Sequence, residues 1–362
     1  MTVDIRGISP VNKGAQLMLM AVVARLGDDF TLSSNPWQGS FADRARLGLG
    51  QTLHHYDHRR LSVLFGDRVP RVVADKFGLV RDRDITSVLD ASGFAYSDAF
   101  SRHRHEREAF FGRRWAARGV TKVMLPQAFG PFEDRVRAEL AREILEQAEI
   151  VFARDDTSAA HLAALDVSTP VHRSVDFTIG LEPLVGPRPA EGPFAAIVPN
   201  TKLITSGVTD ASRYHTVLDG YVRAARDLGL QPVVVLHEDG DEVIALRLAG
   251  GGSVPVFRHH DPLVLKGVLG KADLVVASRF HAVVGALAQG RPTTALGWSH
   301  KYQELMNDFG VPSWLVTLAD EPGEVARRVV EDAAGRAEIV ARKPQLVGRV
   351  EDMWARTMAV LR

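Results

Sequence analysis

The chain has 362 residues, 46% apolar and 24% charged, which suits a globular protein and gives enough length for about two cores. A formal net charge of zero excludes broad electrostatic capture of nucleic acid or an anionic membrane, though not a local cationic site. Cysteine is absent, which removes disulfides, thiolate nucleophiles and cysteine-ligated metals; "MTVDIRGISPVNKGAQ" has no signal-like apolar core, so a cytoplasmic protein is expected by elimination.

Short apolar strands then alternate with amphipathic helices, the pattern of βα units on parallel sheets. A strand over 3–8 precedes a helix over about 14–26, with Asn12, Lys13 and Gly14 at the turn between them. That turn is only loosely a phosphate loop, since neither G-x-x-x-x-G-K-[ST] nor G-x-G-x-x-G is present. After a strand over 30–35, residues 40–80 fit least well: they are basic, partly apolar, and occupy a place where a simple domain has one helix. They read as a solvated insertion or, alternatively, as a surface for a lipid-linked or bulky substrate with peripheral membrane contact. His54 and His58 fall there at i, i+4 without an obvious third ligand, so no metal is expected.

Strands follow over 87–93, 122–130 and 149–155, separated by helices over 102–118 and 134–147. "LDASGFAYSD" and "PQAFGPF" set Asp90, Gly93, Gln127 and Gly130 at strand ends, where small residues let a sugar approach the backbone. "IVFARDDTS" ends a strand on Arg154, with Asp155, Asp156 and Ser158 as a helix start.

"VGPRPAEGPF" (185–194) is dense in proline and glycine and marks a domain boundary. A second series begins beyond it, with strands over 194–200, 232–237, 254–259, 273–279 and 291–297 and helices between them. Asn200, Lys202, His237, His300 and Lys301 gather after these strands. The expected organisation is an N-terminal Rossmann-like domain over 1–188, a second over 189–340, and a last helix over 341–362 that packs back on the body.

In "VVASRFHAVVGALAQGRP" a buried strand becomes a helix whose inner face is Phe280, Val283, Val284 and Leu287. Arg279 and His281 are left at its first turn, beyond the carboxyl end of the strand, where α/β sheets bind ligands. A guanidinium beside a helix N-terminus suits a carboxylate or phosphate, and His281 can donate to the same anion or move a proton. The other reading is that Arg279 pairs with a local carboxylate and His281 only caps the helix.

Four stretches in the same order resemble the polysaccharide pyruvyl transferase family: "NKGAQLML", "LPQAFGPF", "IVFARDDTSAAHL", and "SRFHAVVGALAQGRP" continuing to "HKYQELMNDFG". They span residues 5 to about 310. The resemblance implies two Rossmann-like domains in a GT-B-like arrangement with a cleft between them, in agreement with the strand count. It implies phosphoenolpyruvate as donor, a sugar, oligosaccharide or lipid-linked saccharide as acceptor, and a pyruvate ketal as product, with no cofactor. By residue it implies donor contacts from Arg154, Arg279, the backbone of Phe280 (where leucine is commoner), His281 and Lys301. The domain over 189–340 becomes the donor side and that over 1–188 the acceptor side, with Asn12, Lys13, Gly14, Asp90, Gly93, Gln127 and His237 as acceptor-side candidates. Ketal formation needs a general acid, here His281, an anion clamp, here Arg154 and Arg279, and a base, for which Asp90, Asp98 and His237 are candidates. A GT-B glycosyltransferase using a nucleotide sugar and a silent sugar-binding relative are the alternatives. A lipid-linked acceptor would place the protein at the inner face of the membrane.

Overall fold

The computed structural model describes residues 1–8, 12–53, 67–297 and 299–361. The His54–His58 pair lies outside the described residues. The chain divides into two compact units, Met1–Phe177 with Arg349–Arg362, and Thr178–Gly348. The division falls at Phe177–Thr178, before the proline- and glycine-rich stretch that marks the boundary in the sequence. Among the described residues no helix is long and apolar enough to cross a membrane.

In the first unit the strands are β1 (Thr2–Arg6), β2 (Thr31–Ser34), β3 (Gly50–Thr52), β4 (Leu79–Val80), β5 (Ser87–Asp90), β6 (Phe94–Tyr96), β7 (Thr121–Phe129), β8 (Ile150–Ala153) and β9 (Val171–Arg173). They form one parallel sheet in the order β4-β3-β2-β1-β5-β7-β8-β9, with β6 paired to β7. Residues 40–80 are therefore not merely an insertion: their described parts supply β3 and β4, which extend the sheet edge. Such short strands, the first opening on glycine, carry no alternation long enough to read.

In the second unit the strands are β10 (Phe194–Val198), β11 (Gln231–Leu236), β12 (Val256–Arg258), β13 (Leu274–Ala277), β14 (Thr293–Leu296) and β15 (Leu315–Val316). All are parallel, in the order β12-β11-β10-β13-β14-β15. Numbered by appearance this is 3-2-1-4-5-6, the doubly wound dinucleotide-fold order. Helices cover both faces of such a sheet, so its central strands are apolar throughout: FAAIV in β10 and LVVA in β13 are wholly buried.

The last helix, Ala333–Leu361, crosses from the second unit into the first. In the first unit its Trp354 meets Phe177 edge to face at 5.8 Å, and Val350 and Met353 are buried.

The interior of the first unit is more polar than its strands suggest. Asp4 and Arg6 of β1 are both buried, 3.7 Å apart, and the guanidinium lies over the Trp115 ring at 4.6 Å. Burial pushes the Asp4 carboxyl from 3.8 up to about 7, against the pull of Arg6 and of the Ser33 hydroxyl 3.2 Å away. Burial likewise pushes Lys122 from 10.5 down to about 8, although its ammonium donates to the Ile144 carbonyl at 2.9 Å. From pH 3.8 to about 7 the native chain keeps a proton on Asp4 that the unfolded chain has lost, so stability falls as pH rises. From about pH 8 to 10.5 the unfolded chain keeps a proton on Lys122 that the native chain has lost, so stability rises. The pair predicts a stability minimum near neutrality, and Asp4→Asn should flatten the acid-side slope. Thermal unfolding of both proteins at several pH values checks this; an unaltered slope in the variant assigns it to other groups.

Candidate active site

Where the strand order of a doubly wound sheet reverses, the loops leaving the two central strands part to opposite faces and open a crevice at their carboxyl ends. In the second unit this point lies between β10 and β13. Asn200 follows the first of these strands; Ser278, Arg279, Phe280 and His281 follow the second.

The turn after β13 is pinned by buried hydrogen bonds. Asn200 Nδ2 and Tyr302 Oη both donate to the Ser278 carbonyl, at 2.9 and 2.8 Å. Tyr214 Oη donates to Ser278 Oγ at 2.9 Å and accepts the Asn200 N–H at 2.9 Å. A turn held from several neighbouring segments gives the side chains that leave it a rigid base.

Arg279 leaves this turn buried, and its guanidinium faces two carboxylates. Nε and Nη2 donate to Asp241 Oδ2 and Oδ1 at 2.8 and 2.6 Å, a bidentate fork. Nη1 lies 2.6 Å from Glu238 Oε2. Asp241 is fully buried and also accepts the Thr201 N–H at 2.8 Å. Glu238 is buried enough to raise its carboxyl above the usual range, against the pull of Arg279. The structure thus realises the local-carboxylate reading of Arg279.

The helix Phe280–Leu287 starts without a side-chain cap, so the N–H groups of its first turn present the positive end of the dipole. His281 therefore does not cap it. Phe280 is the hub: its ring meets His281 at 5.3 Å and Tyr302 at 5.5 Å, both edge to face. Lys301, in the first turn of the helix His300–Phe309, holds its ammonium 5.1 Å from the Phe280 ring centre and 5.6 Å from that of Tyr302. His237 is buried at the end of β11, next to Glu238. A cavity of about 250 Å³ opens at the carboxyl ends of β14 and β15, between Leu203, Arg213, Leu296 and Thr317.

In the first unit the order reverses between β1 and β5. There Gly7, with φ +74°, packs so tightly on Ser92 that a Cβ would lie 1.9 Å from its hydroxyl, and Gly93 takes φ +68° against Met18. Asp90, a candidate base, is occupied: Oδ1 accepts the Ser92 N–H and O–H, and Oδ2 accepts the Tyr96 hydroxyl. This makes it an anchor of the turn rather than an open base. Asp98 Oδ2 accepts the backbone N–H groups of Glu133 and Asp134 at 2.5 and 3.3 Å, again a structural role. Asn12 caps the helix Lys13–Leu26 by accepting the Ala15 N–H at 3.0 Å, and Gly14 is a buried residue of that helix. Arg154 follows β8, is 4% exposed, and lies 3.4 Å from Asp176. Gln127 of β7 is fully buried, with neither amide atom hydrogen-bonded among the described residues. A larger cavity of about 920 Å³ lies at the opposite edge of this sheet, by the amino ends of β1 and β2 at Thr2 and Thr31. Parallel sheets bind ligands at the carboxyl edge, so it is the wrong edge for the chemistry.

The sequence singled out Arg279, Phe280, His281 and Lys301 together; the structure brings His281 and Lys301 to the Phe280 ring, while the Arg279 guanidinium turns to Asp241 and Glu238. It did not single out Glu238, Asp241, Ser278, Tyr214 or Tyr302. The acidic cluster "HEDGDE" after β11 is the only signal in the sequence for the first two. Among the described residues no group of three or more His, Cys, Asp or Glu is placed to hold a metal ion.

The family model for polysaccharide pyruvyl transferase matches residues 12–300. The chain belongs to this family. Among solved structures it is similar to the UDP-GlcNAc 2-epimerase of Neisseria meningitidis bound to UDP-GlcNAc, at 10% identity and TM-score 0.63, covering 99% of this chain and 100% of that one. It is also similar to S. aureus MnaA with UDP, at 11% identity and TM-score 0.59, covering 97% and 93%. The UDP-GlcNAc 2-epimerase of Methanocaldococcus jannaschii, in complex with UDP-GlcNAc and UDP, gives 9% identity and TM-score 0.55 over 95% and 99%. At such identities the likeness speaks for the fold alone: a GT-B-like protein with two parallel α/β domains, as the sequence predicts. The matched stretch takes in Arg279, Phe280 and His281 and ends one residue before Lys301.

Proposed function

We propose that this pyruvyl transferase takes the three-carbon unit of phosphoenolpyruvate and attaches it to two hydroxyls of one sugar in a glycan or glycolipid precursor, as a ketal. The observation that carries the reading is the uncapped helix start at Phe280, with His281 in its first turn and the Lys301 ammonium over the Phe280 ring, at the point where the second sheet reverses. Backbone N–H groups, a helix dipole and an ammonium together suit a small ligand carrying a phosphate and a carboxylate.

The reaction balances without an outside reagent. C3 of the donor gains a proton, both acceptor oxygens bond to C2, and the bond from C2 to the phosphate oxygen breaks. Of the two protons lost by the hydroxyls, one is matched by the proton on C3 and the other leaves with phosphate. His281 supplies the proton to C3 as general acid, and Arg279 and Lys301 hold the donor anion. His237 is the remaining candidate base. Gln127, a buried amide at a strand end, together with Lys13 and Gly93, is assigned to the acceptor side. No step requires a metal or a cofactor.

Incubation with phosphoenolpyruvate and a panel of free and lipid-linked saccharides tests the reading. Phosphate should appear, together with a product heavier than its acceptor by one pyruvate less one water. Donor at about 100 times its Kd should also add about 2.7 kcal/mol of apparent stability. Similarity in fold to proteins solved with UDP and UDP-GlcNAc favours a second reading, a nucleotide-sugar transferase. Stabilisation by UDP-sugars but not by phosphoenolpyruvate would select it.

A further inference from the structure

Resting on the phosphoenolpyruvate reading, we propose that Glu238 is an exchangeable counter-ion: it holds one edge of the Arg279 guanidinium and gives that edge up to the anionic donor. The charge count motivates this. One guanidinium faces two carboxylates at 2.6 Å, so these three groups carry one more negative charge than positive, which opposes the anion that the donor reading requires. One carboxylate has to yield, and the two are not equivalent.

Asp241 cannot move cheaply. It is wholly buried, grips Nε and Nη2 in a bidentate fork, and also accepts the Thr201 N–H. Its work is to aim Arg279. Glu238 touches only Nη1, with a side chain 15% exposed, on the loop that follows β11. Burial disfavours its charged form, and Lys202 is the other cation acting on it. Release of Glu238 frees Nη1 while the other side of the fork stays fixed, so the cation is presented to the anion in an orientation already set. The same exchange discriminates against weak anions, because a ligand must outcompete a carboxylate already in contact.

Calorimetric titration of the full chain with phosphoenolpyruvate, and separately with inorganic phosphate, tests the exchange. If Glu238 occupies the competent edge most of the time, its removal raises apparent affinity in proportion to the freed fraction. Glu238→Gln and Glu238→Ala should each bind phosphoenolpyruvate about tenfold or more tightly than the unaltered chain. Asp241→Asn should bind it more weakly, because Arg279 loses its aim. Thermal unfolding identifies any variant that fails to fold, and the two Glu238 variants back each other. Donor affinity unchanged or weakened in both overturns the exchange while leaving the donor reading intact. Lost turnover at unchanged affinity also overturns it, by making Glu238 a base. An unaltered chain and Glu238 variants that bind neither ligand overturn both the exchange and the donor.

Discussion

Arg279→Ala is expected to lower stability by about 3–5 kcal/mol, because it strands two carboxylates that now share one buried guanidinium. The cost comes from the partners left behind rather than from the worth of the pairs, since Asp241 is completely buried and Glu238 largely so. A triple variant, Arg279→Met with Glu238→Gln and Asp241→Asn, leaves no charge unpaired and should recover most of the loss. Donor binding should vanish in the single and the triple variant alike. Urea unfolding of the intact chain, with phosphoenolpyruvate titration alongside, separates the two consequences. If the single variant unfolds like the unaltered chain, the cluster holds nothing together. Arg279→Lys should also be severe, because an ammonium cannot make the fork to Asp241.

His281→Ala should lower kcat about 10²–10⁴-fold, the usual contribution of a positioned proton donor, with donor KM little altered. The side chain lies in the first turn of an uncapped helix and contacts the Phe280 ring, so its removal leaves the helix start and Lys301 in place. Steady-state kinetics over a range of donor concentrations makes the test. A raised KM at unaltered kcat would move His281 from proton donor to anion clamp.

The second unit was almost wholly legible in the sequence, because strands buried on both faces must be apolar throughout, and "FAAIV", "PVVVL" and "LVVA" are. The first unit was less so. β3 and β4 are too short for a pattern, and β1 carries Asp4 and Arg6 inward, where an apolar template expects solvent-facing residues. At the candidate site, Arg279 and His281 were readable because they interrupt an apolar run at a strand end, and Lys301 because it follows the next strand. Asp90 was readable for the same reason and turned out to be an anchor, since strand-end position alone cannot tell an open carboxylate from one closed by Ser92 and Tyr96.

The sequence by itself determined the family, the α/β class, and which cations stand after which strands, because these depend on residue order and local periodicity. Only the tertiary structure decided that Arg279 meets Asp241, 38 residues earlier, and that Asn200 reaches the Ser278 carbonyl across 78. Those contacts follow from strand order: β10 lies between β11 and β13, which brings three distant loops to one edge of the sheet. Hydrophobic patterning fixes which segments are strands, but their lateral order is set by the crossovers and the packing of helices on both faces, and no local signal carries it.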